Sequence, residues 1–129
     1  MKAKEKAELI AHFAAEKKGE NIVLLDMSGH GMLYDWFVVV SASSARRINA
    51  IAKSIDTGLS AKKIKPISIE GKGNPYWTLL DYEDVVVHVF YAEIREYYGL
   101  ERLWPDIPQI HFEEKCLKKT SQKKSQKPS

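Results

Sequence analysis

Asp81, Glu83 and Asp84 set three carboxylates within four residues, and such a cluster could hold Mg²⁺ for metal-assisted chemistry. That chemistry needs acids fixed on a rigid element and converging on one point. These lie between two apolar runs, Tyr76–Leu80 and Val85–Tyr91, where a hairpin turn is expected. Aspartate is common in turns because it bonds its own backbone, and the turn reading is preferred. His88 would need an orienting acid and a nucleophile beside it to act as a general base, and no Ser, Cys or Thr is placed for one. On its strand it shares a side with Val86 and Phe90, opposite Val85, Val87, Val89 and Tyr91, the pattern of a core or interface histidine. His12, His30 and His111 lack ligand spacing for zinc, and Cys116 in a basic tail is a poor nucleophile candidate. Ser28-Gly29-His30-Gly31 and Gly71-Lys72-Gly73 are turns without the Lys-Ser/Thr pair and helix of a phosphate loop. No catalytic residue, metal ligand or cofactor is expected.

The stretch from Glu70 to Trp104 concentrates rings instead: Tyr76, Trp77, Tyr82, Phe90, Tyr91, Tyr97, Tyr98 and Trp104. A small domain buries only some of them, and rings left among carboxylates make a protein-binding face. Tyr76 and Trp77 alternate along a strand, so one of the two faces outward. Tyr82, at the turn tip, is expected to be exposed. Bordered by Asp81, Asp84 and Glu101, these rings suit a basic protein surface. Two structural roles compete with that reading. Trp77 could pack under Leu103-Trp104, and Arg95, Tyr97, Tyr98, Glu101 and Trp104 could knit the last helix to the sheet.

The elements that position these residues follow from periodicity. Leu9, Ile10, Phe13 and Ala14 mark a helix over about Lys4–Lys18, with Gly19 at its left-handed end. Ile22–Leu25 and Trp36–Val40 read as strands that pair antiparallel through the Gly29/Gly31 turn. Ser43 or Ser44 caps a second helix carrying Ile48, Ile51, Ala52 and Ile55, which Gly58 ends. A crossover then leads to a short strand, Ile67–Ile69, and on to the hairpin. Ala92–Tyr98 is helical, closed by Gly99, and Leu100–Trp104 is a last turn stopped by Pro105 and Pro108. The pattern predicts an α/β (α+β) fold, a small mixed sheet flanked by helices, over residues 1–112. Residues 113–129 are expected to form a basic, disordered tail.

At 129 residues the chain is expected to be one domain, no apolar run is long enough to span a membrane, and no signal or transit segment is expected from the composition of the first residues. One cysteine fits a reducing compartment, and the cytoplasm is the expected location. The six lysines of residues 115–129, with no acid among them, turn a body of net −3 into a chain of formal net charge +3. An acidic body disfavours phosphate backbones and favours a basic partner, although the tail could touch RNA weakly.

Asp26, Ser28-Gly29, Asp35, Phe37-Val38, Ser43, Arg46 and Ala50-Ile51-Ala52 are followed, in order, by Pro66, Glu70-Gly71, Trp77 and Leu79-Leu80-Asp81-Tyr82. Then come Asp84-Val85-Val86-Val87-His88-Val89-Phe90, Arg95, Tyr97-Tyr98 and Leu100-Glu101-Arg102-Leu103-Trp104. In this order and spacing, from about Leu9 to Asp106, the chain resembles the Iojap-like ribosomal silencing factors. Trp36, Ala42, Arg47 and Glu83 depart from the usual family residues, and Glu83 is a poor fit to the positive φ of a turn. The resemblance implies a nucleotidyltransferase-like fold without that active site, and no enzymatic activity. It implies binding to the large ribosomal subunit through the protein called L-fourteen, obstruction of small-subunit joining, repression of translation, and homodimers when the protein is unbound. The partner-binding residues are then expected to be Trp77, Asp81, Tyr82, His88, Phe90, Tyr97, Tyr98, Glu101 and Trp104. The rival readings are a nucleotidyltransferase-like enzyme using Asp81 and Asp84 with Mg²⁺, and an RNA-binding module using the aromatics and the tail.

Overall fold

A computed structural model describes residues 1–29, 33–98 and 107–112. Helix α1 (Ala3–Glu16) leads into strand β1 (Glu20–Asp26), which pairs antiparallel with β2 (Trp36–Ala42). Helix α2 (Ala45–Ser60) carries the chain across the sheet to β3 (Ser68–Glu70), and β4 (Trp77–Asp81) and β5 (Val85–Tyr91) form the expected antiparallel hairpin. Helix α3 (Ala92–Tyr98) and a short strand β6 (Gln109–His111) complete the described chain. The six strands lie in the order β3-β4-β5-β2-β1-β6, with β2 and β5 parallel at the centre.

Period-two alternation gives this sheet two apolar faces. Val38, Val40, Leu80, Val85, Val87 and Val89 point to one, where they meet Ile10 of α1 and Ile48, Ile51, Ile55 and Leu59 of α2. This is the helical face. Val23, Leu25, Phe37, Val39 and Val86 point to the other, with Met27 beside them and Tyr34, Leu79, Phe90 and Ile107 packed against them. We call it the aromatic face.

Of the two serines expected to cap α2, Ser44 does so, its Oγ accepting from Arg47 N at 3.1 Å. Other local features differ from the sequence expectation. Gly58 does not end α2, which continues to Ser60. Its missing side chain makes room for Phe13, since a Cβ there would come within 2.5 Å of the ring. The cost of a helical glycine is offset by the close approach of two helices. At the end of α1 the left-handed residue is Lys18 (φ 67), not Gly19. Strand β6 escapes a reading of the sequence because Gln109-Ile110-His111 is too short to show a period and is exposed throughout.

Candidate aromatic docking face

Register assigns the site residues. Trp77 pairs with Phe90, Leu79 with His88 and Asp81 with Val86. Across the parallel junction Phe37 pairs with Val86 and Val39 with His88. Paired residues share a face, so Trp77, Leu79, Asp81, His88 and Phe90 all belong to the aromatic face. Glu70 joins them, opposite Leu79 on the edge strand.

His88 sits between two rings. Its centroid lies 4.9 Å from that of Phe37 in an edge-on arrangement and 6.0 Å from that of Phe90, nearly parallel. Burial pushes the imidazole pKa down to about 4, because the charged form cannot be solvated among aromatic neighbours. The ring is therefore neutral at physiological pH, and its Nε2 has no hydrogen-bond partner. Among the described residues no partner meets this Nε2, and the ring lies on the side of β5 that it shares with Val86 and Phe90, the side that alternation predicted.

The carboxylates of the hairpin are held locally. Asp81 Oδ1 accepts from Glu83 N at 2.8 Å, which supports Glu83 at φ 79, and Tyr34 donates to Asp81 Oδ2 at 3.4 Å. The Asp81 charge holds the Tyr34 hydroxyl above its usual pKa, with desolvation as a lesser cause. Asp84 turns the other way, to Lys6 of α1 at 2.7 Å. No group of three or more His, Cys, Asp or Glu that could hold a metal ion occurs among the described residues. A turn that divides its acids between two faces is not the converging set that Mg²⁺ chemistry needs.

Tyr82 overturns the expectation of an exposed ring. It is 2% exposed and packed into the core of the helical face. The residue that follows Asp81 in the alternation points away from the aromatic face, and the hairpin tip folds down onto α1 through Lys6. Burial, with a smaller contribution from Asp56, pushes its phenol pKa up, and the hydroxyl has no hydrogen-bond partner.

Trp77 and Tyr76 alternate as predicted, with Tyr76 outward at 52% exposure and Trp77 half-buried on the aromatic face. The Trp77 ring rests on Gly71, which stands at φ +78, and a Cβ there would come within 2.9 Å of the ring's Cζ3. Asn74 Oδ1 accepts from the Tyr76 and Trp77 amides at 2.8 and 3.3 Å and fixes the strand entry. Arg95 does knit α3 to the sheet, donating from Nη1 to Asn21 O at 2.6 Å and to Ser41 Oγ at 2.9 Å. Glu101, Trp104, the turn Leu100–Trp104 and the lysine tail lie outside the described residues, as do the side chains of Tyr97 and Tyr98. Tyr34 lies on this face although sequence reasoning does not single it out, whereas Leu79, Glu70 and Phe37 enter that reasoning only as pieces of the family motif or as strand residues. The alternation that places His88 also reaches Leu79 and Phe37, but only once the register across three strands is known.

The family model described as "Ribosomal silencing factor during starvation" matches residues 1–129. The chain belongs to this family. Among the family's members, the ribosomal silencing factor RsfS of Halalkalibacterium halodurans is 34% identical over 113 residues, covering 88% of this chain and 97% of that protein. The factor of the same name from Bacillus subtilis is 36% identical over 108 residues, covering 84% and 92%. A crystal structure of a Chromobacterium violaceum protein superimposes with a TM-score of 0.77 at 32% identity, covering 81% of this chain and 88% of that one. The mixed α/β fold is thus the fold of the silencing factors. No helix among the described residues is long and apolar enough to cross a membrane.

Proposed function

We propose that this chain represses translation by steric occupation of the large ribosomal subunit. Its aromatic face docks on a basic ribosomal protein, the one called L-fourteen, and the bound domain bars the small subunit from joining. The observation that carries this reading is the row Trp77, Leu79, His88 and Phe90, half-buried rings and one leucine at the sheet surface with Glu70 and Asp81 at their margin. Aromatic anchors inside a polar, acidic rim are what a basic protein surface selects. Family membership supplies the ribosomal setting. In this mechanism the contact residues on the aromatic face are Trp77, Leu79, Asp81, His88 and Phe90, and the family resemblance adds Tyr97, Tyr98, Glu101 and Trp104 as further contacts. Tyr82 supports the hairpin from within. No reaction is catalysed and no cofactor is used. The folded unit is residues 1–112, acts in the cytoplasm, and pairs with a second copy when off the ribosome.

Co-sedimentation with purified large and small subunits tests this. The protein should pellet with the large subunit and lower the yield of joined ribosomes. Truncating a buried anchor costs about 2 kcal/mol, a ~30-fold loss of affinity, so Trp77→Ala should stay folded and release the subunit. A folded Trp77→Ala protein that binds normally would remove Trp77 from the contact. Failure of the unmodified chain to bind would refute the reading itself.

A further inference from the structure

The net charge of the body hides a separation between its two sides. Residues 1–18 and 44–65, which hold α1, α2 and their flanks, contain eleven Lys and Arg against four Asp and Glu. Residues 19–43 and 66–95, which hold β1 to β5 and the hairpin, contain eight Asp and Glu against two Lys and Arg. A body read as uniformly acidic is a basic helix layer backed by an acidic sheet.

The basic side chains are concentrated and exposed. The two helices run antiparallel: Ser54 Oγ donates to Phe13 O at 3.1 Å and Arg47 Nη1 to Lys17 O at 3.4 Å. The end of α1 therefore lies beside the start of α2, which brings Lys17 and Lys18 to Arg46, with Lys53 two turns further along the same outer stripe. Lys62 and Lys63 continue past the other end of α2. These six are exposed and make no ion pair among the described residues, whereas Lys6 is engaged by Asp84.

Local energetics disfavour part of this arrangement. Arg46 and Arg47 occupy the first turn of α2, at the positive end of its dipole, with no acid there. Lys18 and Lys63 stand in left-handed conformations, at φ 67 and 65, which a glycine would adopt at less cost. Like charges crowded on one side repel one another. The lysines near the helix ends suit the dipole at those ends, but the arginines do not. Where local rules are broken together, a partner that rewards the breach is the physical explanation.

We propose that the helix layer is a second contact surface, which lies against the phosphate backbone of RNA. Point charges spread along a helix of ~24 Å that carries no exposed large hydrophobic among the described residues match a line of phosphates better than a folded protein surface. The choice of RNA among polyanions rests on the ribosomal setting proposed above. The contact itself can be tested without a ribosome.

The test uses the full chain and a duplex of about 20 base pairs of RNA of arbitrary sequence, titrated at several salt concentrations. Lys17→Gln, Arg46→Gln, Lys53→Gln and Lys62→Gln are combined in one variant. All four positions are exposed, and circular dichroism checks the fold. A second variant carries Gln at the six tail lysines, and Trp77→Ala serves as the third. The helix-layer variant should lose at least about tenfold in affinity near ~0.1 M salt. The slope of log affinity against log salt should become shallower by about three to four, close to one for each phosphate that is no longer neutralised. Trp77→Ala should bind the duplex as the unmodified chain does, so the outcome is independent of the aromatic face. Loss of binding in the tail variant alone, or no binding by the unmodified chain at about 0.05 M salt, would overturn the proposal.

Discussion

Leu79 and Leu80 are neighbours on β4 and serve opposite ends. Leu80 faces two helices and is fully buried in a core made almost wholly of Ile, Val, Leu and Ala. Leu79 faces Trp77, His88 and Phe90 on a surface that mixes rings, a neutral imidazole and carboxylates. The helical face is filled by aliphatic side chains and tightened where Phe13 enters the space left by Gly58. The aromatic face carries large groups that are only half-buried, with a ring nitrogen left without a partner. The helical face is thus largely aliphatic, whereas the aromatic face sets half-buried rings around a smaller buried core of Val23, Leu25, Met27, Phe37, Val39 and Val86.

The contrast can be broken most forcefully at that leucine pair. Leu80→Ala should lower the unfolding free energy by about 2–5 kcal/mol, measured by urea denaturation. Leu79→Ala should cost about 1 kcal/mol or less and weaken large-subunit binding instead. Equal costs would mean that the two faces are equivalent.

His88 gives the next largest effect. Its folded pKa, about 4, lies below the ~6.5 of the unfolded chain, so the unfolded state takes up the proton first. The penalty is absent above about pH 6.5, grows as pH falls, reaches about 2 kcal/mol near pH ~5 and levels off below pH ~4. Denaturation of the native chain and of His88→Gln between about pH 7 and 4.5 should show this slope in the first and not in the second.

Tyr82→Phe sharpens the comparison from the helical side. Removing a buried hydroxyl that has no partner should raise stability by up to ~1 kcal/mol, seen as a higher Tm. A loss would reveal a hydrogen bond at that oxygen. Smallest is the tie between hairpin and helix. A double-mutant cycle of Lys6→Met and Asp84→Asn should give a coupling of about 0.5–1 kcal/mol, reduced by salt.

These contrasts explain what a sequence can and cannot show. Alternation in Val85–Tyr91 assigns every side chain of β5 to its face, because a strand of six apolar or aromatic residues and one histidine admits few registers. The periods of α1 and α2 identify their buried stripes for the same reason. Tyr82 is misplaced by sequence reasoning because a turn residue has no period, and its direction depends on the hairpin bending onto α1 through Lys6. Gly58 reads as a terminator since glycine ends helices more often than it seats a ring, and Phe13 lies far away in the chain. Of the site, Trp77, Asp81, His88 and Phe90 are legible from motif and alternation. Phe37 and Glu70 appear in the motif too, but the parallel pairing of β2 with β5 and the edge pairing of β3 are what place them on this face, and Tyr34 joins through its ring contact with Phe37 and its bond to Asp81, none of which a local pattern encodes.

That parallel pairing also bears on how the molecule is made. Strand β2, Trp36-Phe-Val-Val-Val-Ser-Ala, is buried along its whole length, yet its inner neighbour is β5. At about 5–20 residues per second, the roughly fifty residues between Trp36 and Val85 take on the order of 3–10 seconds to synthesise. Throughout that interval one edge of this fully buried strand waits without its ladder partner, a template for mispairing between nascent chains. Any slowing of elongation lengthens that wait in proportion.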